Sequence, residues 1–148
     1  DALPISTMRI IVKQMLIDAM VDSKLTVIFS SHNLGEIDEF CDRVGLLHGG
    51  KVVFDRELDS VKGSVFKIQT SFPEPVTKEQ LSADGVDILH IEENGSVMHI
   101  IARGDREKVR AAVEKHSPKL YDEIPLSLEE IFIYEMEVLG YDSSKLGK

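Results

Sequence analysis

The stretch "LTVIFSSHNLGEIDEFCDR", residues 25–43, decides how this chain is read. Leu25 to Ser30 is a short run of mostly β-branched and aromatic residues with no polar alternation. Such a run suits a strand buried on both faces, as in a parallel sheet covered by helices. It ends abruptly in Ser31-His32-Asn33, and an acid-rich, helix-like stretch follows to about Asp42. Leu34, Ile37, Phe40 and Cys41 are expected to point inward there. Before it, Ser6 or Thr7 is expected to cap a helix running to about Asp22. Met8, Ile11, Val12, Met15, Leu16 and Ala19 form that helix's apolar stripe. Helix, buried strand and helix in succession are α/β grammar.

Working outward, "VGLLHGGKVVFD" reads as a hairpin turning at Gly49-Gly50, and "ELDSVKG" as a short helix or turn. From Gly63 the pattern changes. "SVFKIQTSF" alternates as a strand until Pro73 and Pro75 break it. "TKEQLSADG" reads as a short helix, and "VDILHIEENGSVMHIIARG" as a hairpin with a type I′ turn at Asn94-Gly95. "DREKVRAAVEKHS" is a helix on an Asp105 cap, burying Val109, Ala112 and Val113, and "KLYDEIP" is a last strand. The order β-α-β-β-α-β is that of the ferredoxin-like plait, an antiparallel sheet with helices on one side. "SLEEIFIYEMEVLG" closes the pattern as a helix, with Ser127 and Glu130 in a capping box and apolar residues for two surfaces. The tail from Tyr141 is expected to fray.

Bulk properties narrow the function. The chain has 148 residues, 43% hydrophobic and 29% charged, with a formal net charge of −9 and one cysteine. The acidic balance argues against nucleic-acid binding, which needs surplus Lys and Arg. No apolar run approaches the ~20 residues that cross a bilayer. A lone cysteine supports neither a disulfide framework nor a CxxC metal site, and a reducing, cytosolic setting fits best.

One buried strand and one hairpin cannot make a parallel sheet, because a central strand needs neighbours on both sides. Residues 7–62 therefore read as the last part of a larger α/β domain, or as a segment that borrows strands from a partner.

Over residues 27–61, "VIFSSHNLGEIDEFCDRVGLLHGGKVVFDRELDSV" resembles the end of an ATP-binding cassette ATPase, the nucleotide-binding subunit of ABC transporters. Ser31-His32, Glu36, Asp38-Glu39, Cys41-Asp42-Arg43-Val44 and Gly49-Gly50-Lys51 occur in the family's order. That ordered set is far more specific than a bare SSH. "PLSLEEIFIYEMEVLGYD" is similar to the ending of an exporter-type branch with an accessory C-terminal domain. The resemblance implies a fold: the C-terminal portion of an α/β P-loop NTPase (residues 7–62) followed by an α+β ferredoxin-like domain (63–140) and a tail (141–148). It implies that His32 is the catalytic switch histidine for the γ-phosphate, with Ser31 beside it at the nucleotide. It also implies ATP and Mg2+ in the full-length parent, a permease and a second nucleotide-binding subunit as partners, and a peripheral, cytoplasmic place on the inner membrane face.

The phosphate-binding GxxxxGK[ST] loop, the Q-loop, the signature and the Walker B carboxylates have no counterpart in this sequence. Gly50-Lys51 lacks the spaced glycine and the following Ser or Thr. The chain alone is therefore expected to bind no cofactor and to lack ATPase activity. Asp1-Ala2-Leu3-Pro4-Ile5-Ser6 departs from the family's Leu-Asp-Pro D-loop, and "DALPI" matches what a common sequencing-adapter tail encodes. These first residues are expected to be an assembly artefact joined to a partial gene, or a D-loop remnant.

Other readings weigh less. Ser31 and His32 as a hydrolase dyad is disfavoured because neighbours on a strand face opposite ways. Glu36, Asp38 and Glu39 complement a helix N-terminus more readily than they bind a cation. Cys41 reads as a small core residue. His48, His90, His99 and His116 lack ligand spacing, so no metal site is expected. His90 and His99 are expected to oppose each other across their hairpin. The alternative of a different class is a self-standing regulatory or interaction module of ferredoxin-like fold, without catalysis.

Overall fold

The structure is a computed structural model that describes residues 4–141. The first three residues of the expected artefact, and the expected frayed tail beyond Tyr141, lie outside them. By packing the chain divides between Cys41 and Asp42, whereas the sequence pattern changes near residue 62.

In the first unit, α1 spans Ile5–Ser23, with Pro4 at its N-cap. The helix begins earlier than Ser6 or Thr7 because a proline is already set at helical φ and has no N–H to leave unpaired. Met8 N donates to Pro4 O at 3.0 Å, closing the first turn. The expected stripe is not a buried face: Met8, Ile11, Val12 and Met15 are exposed, while Leu16 and Ala19 are half-buried. Leu25 to Ser30 is not a strand. Its backbone has no neighbouring strand to pair with, so the β-prone residues form no strand and Ile28 is 93% exposed. Phe29 instead stacks on Phe40, centroids 5.0 Å apart. The second helix, α2 (Leu34–Phe40), stops short of Asp42 and is capped by Asn33, whose Oδ1 accepts from Gly35 N at 2.9 Å.

The second unit opens with the hairpin β1 (Arg43–His48) and β2 (Lys51–Glu57). Gly49 and Gly50 both take positive φ, 57° and 75°, as a two-residue type I′ turn requires. Then come α3 (Leu58–Ser64), β3 (Val65–Ser71), α4 (Lys78–Ser82), β4 (Asp87–Asn94), β5 (Val97–Arg103), α5 (Arg106–Glu114), β6 (Leu120–Ile124) and α6 (Leu128–Val138). β1 and β2 form a sheet of their own. The other four strands form a second sheet in the order β4-β5-β3-β6, and every pairing is antiparallel. Thr77 with Gln80 makes a complete capping box, and Ser127 Oγ accepts from Glu130 N at 3.2 Å.

The main core joins Phe66, Ile68, Ile88, Met98, Ile100 and Ala102 of the sheet to Leu81 of α4 and to Val109 and Val113 of α5. Strand alternation turns Val65 and Ile101 to the opposite face. α6 packs against β3 and α3 there. Leu58, Val61, Leu128, Ile131 and Met136 are all buried. Helices thus meet both faces of the sheet, not one.

Two expectations fail on local geometry. The β4–β5 turn has Gly95 and Ser96 at its centre, and only Gly95 has positive φ (64°). That is the sign pattern of type II′, with glycine first. The register, interrupted between Ile88 and His90, sets His90 opposite Ile101 and His99 opposite Glu92. The two histidines are not a cross-strand pair. His99 Nε2 meets Gln69 Oε1 at 3.1 Å instead.

Candidate functional site

The residues singled out in the sequence converge at the turn into α2. Ser31 Oγ donates to Glu36 Oε2 at 2.8 Å and accepts from Asn33 N at 2.9 Å. Asn33 caps the helix. Arg9 Nη1 stands 3.9 Å from Glu36 Oε1, and Lys13 Nζ pairs with Glu39 Oε2 at 2.7 Å. The acidic turn is thus engaged with the basic side of α1 and with Ser31. His32 projects from the middle of this knot with an exposed side chain, and it has no hydrogen-bond partner among the described residues. Ser31 and His32 are adjacent but do not bond: the serine hydroxyl is held by Glu36. The arrangement offers one freely presented imidazole on a turn braced from both sides.

The remaining histidines are dispersed. His48 meets the Tyr141 ring edge-on at 5.3 Å, and His116 meets Phe72 at 6.1 Å. Among the described residues no group of three or more His, Cys, Asp and Glu is placed to hold a metal ion. Gly50-Lys51 lies in the tip of a hairpin and opens no helix, so it provides no ring of amides around a phosphate. A shallow cleft where β4 and β5 meet α5 is bordered by Asp87, Arg103, Asp105 and Lys108. Asp105 already occupies the N-terminus of α5, its Oδ1 accepting from Glu107 N at 2.8 Å and Lys108 N at 3.3 Å.

Sequence reading missed one polar centre. Glu135 on α6 is 2% exposed. Its Oε2 accepts from Arg56 Nη1 at 3.1 Å and its Oε1 from Ser64 Oγ at 2.6 Å, with Arg103 Nε 3.7 Å from Oε1. A signal was present. Leu128, Ile131 and Glu135 follow one another at three- and four-residue spacing, which places a carboxylate on the helix's buried stripe. Such a group needs partners, because an unpaired charge is far too costly to bury.

No helix among the described residues is long and apolar enough to cross a membrane. No family model matches the chain. The chain is 26% identical over 122 residues to the ABC transporter ATP-binding protein YtrB of Bacillus subtilis (strain 168), a match covering 82% of this chain. It spans 41% of the length of that relative. The chain is therefore a distant homologue of an ABC transporter ATP-binding protein.

Proposed function

We propose that this chain is the C-terminal part of an ATP-binding subunit that powers an ABC transporter. The carrying observation is the relationship to an ABC transporter ATP-binding protein over most of the chain, which agrees with the ordered motif set around His32. In this reading, residues 7–62 complete a nucleotide-binding domain whose phosphate cradle lies elsewhere in the parent. The exposed apolar side chains of α1 and of Leu25 to Phe29 are the surfaces that the rest of that domain would cover. The four-stranded sheet, ordered β4-β5-β3-β6 with its β-α-β-β-α-β connections, supports a ferredoxin-like accessory domain.

ATP with Mg2+ supplies the reacting phosphoryl group in the parent. Among the described residues, His32 has an imidazole free to donate toward the γ-phosphate, and Ser31 through Glu36 holds that turn in place. Phosphoryl transfer depends mainly on such positioned, charge-stabilising donors. The partners are a permease and a second nucleotide-binding subunit, and the place is the cytoplasmic face of the membrane. The chain alone has no nucleotide cradle and would not turn over ATP.

Sequencing the genomic DNA upstream of the Thr7 codon tests the reading. The expected result is an in-frame GxxxxGK[ST] loop, signature and Walker B, and the assembled parent's ATP turnover falls by about 100-fold or more in His32→Ala. A stop codon followed by a start codon near Thr7-Met8 would instead favour the self-standing regulatory module. The separately packed unit from Asp42 onward is the observation on that side.

A further inference from the structure

The hairpin β1–β2 shares no strand pairing with the four-stranded sheet. It is joined to the sheet by α3 in sequence and by side chains in space, and an isolated two-stranded hairpin is marginal in water. Two contacts hold it to α6. One is apolar: Phe54, 6% exposed, meets the edge of Phe132 at 5.5 Å. The other is the Glu135 cluster. Arg56 comes from β2, Ser64 from the end of α3 and Arg103 from β5, and all three converge on one carboxylate of α6. Arg56 is itself braced, its Nη2 reaching Ser60 Oγ at 3.1 Å and its guanidinium lying over Phe54 at 5.4 Å.

We propose that Glu135 is a latch that fixes the hairpin and α6 against the four-stranded sheet, and that removing its charge lets them separate locally while the sheet stays folded. The apolar contact alone allows several packings, because hydrophobic attraction is not directional. The carboxylate favours one, since any other packing that keeps Glu135 buried leaves its charge unpaired. The main core beneath α4 and α5 includes no member of the cluster, so opening the latch leaves that core intact. The inference concerns this chain's own elements and does not depend on the nucleotide reading.

Hydrogen exchange on the purified chain and on Glu135→Gln, resolved by element, is the test. Glutamine keeps the shape and a bond to Ser64 but loses the charge. The expected result is exchange faster by about 10- to 100-fold in β1, β2 and α6, with β3, β5 and α5 unchanged. A uniform acceleration through all elements, or none, overturns the proposal. Arg56→Gln should reproduce the pattern, and the double variant should add little to either single change. Fully additive effects would overturn it too. Should Glu135→Gln fail to fold, Arg56→Gln and Ser64→Ala carry the test with the same two outcomes.

Discussion

Glu36 and Glu135 show what position does to the same functional group. Glu36 sits in the first turn of α2, favoured by the helix N-terminus and tied to Ser31, and its role is to brace the turn that presents His32. Glu135 is buried and draws three donors from three elements. Tyr121 shows the same dependence in a neutral group. Burial raises its phenol above the ordinary value of about 10, against the opposing guanidinium of Arg110, which lies 5.2 Å from the ring centroid. Tyr134 is raised for the same leading reason. The sign follows from linkage. Both phenols ionise more readily in the unfolded chain, so their contribution to stability is complete below about pH 10 and is lost as pH rises through their folded values. Urea midpoints measured from pH 8 upward should therefore fall above about pH 10, and less steeply in Tyr121→Phe. An unchanged alkaline slope in that variant would contradict the assignment.

At the level of elements, the hairpin β1–β2 depends on its tip. Gly49 and Gly50 both have positive φ, and nothing lies within 4 Å of a β-carbon built on either. A side chain there meets no clash with the rest of the protein, and the penalty is the backbone's alone. Gly50→Val should thus destabilise by about 1–2 kcal/mol, and Gly50→Asn by clearly less, because asparagine tolerates this region. Equal urea midpoints for the two variants would mean that the turn does not hold the conformation described. The same contrast explains what was legible in the sequence. Caps at Asp105 and Ser127, the glycine hairpin, and the alternation of β3 are short-range signals carried within a few residues. Leu25 to Ser30 has strand-like composition, but a strand exists only when another backbone accepts its hydrogen bonds, and none does so here. His90 and His99 were misplaced because the turn is centred on Gly95-Ser96 and not on Asn94-Gly95, which moves the partner of His90 from His99 to Ile101. His32 was expected at the end of a buried strand, and it lies instead in the turn before α2. The Glu135 cluster was not legible, since its partners lie up to 79 residues apart in the chain.

For the whole molecule, the two packed units differ in what holds them together. From Asp42 onward there is a continuous core in which Ile68, Leu81, Ile100, Val109 and Val113 are almost wholly buried. Before it, α1 has no buried residue, and residues 24–33 have neither helix nor strand. Proteases need an unfolded stretch of several residues in their cleft, so attack is governed by the local cost of opening. That cost is lowest where backbone hydrogen bonds and buried apolar contacts are fewest. Leu25, 51% exposed, and Phe29, 38% exposed, both lie in this segment and both suit chymotrypsin. Limited digestion should first cut after one of them and leave a resistant fragment that still contains β1 to β6. Circular dichroism of the isolated fragment should keep its strand signal and unfold cooperatively, because its capping box at Thr77, its sheet register and the Glu135 cluster are internal to it. Early cleavage within β3 to β6, or a resistant fragment without cooperative unfolding, would show that the second unit depends on the first. Survival of that fragment separates two levels of organisation: a body that folds by itself and still carries His32, and α1, whose exposed apolar side chains the remainder of the proposed nucleotide-binding domain would cover.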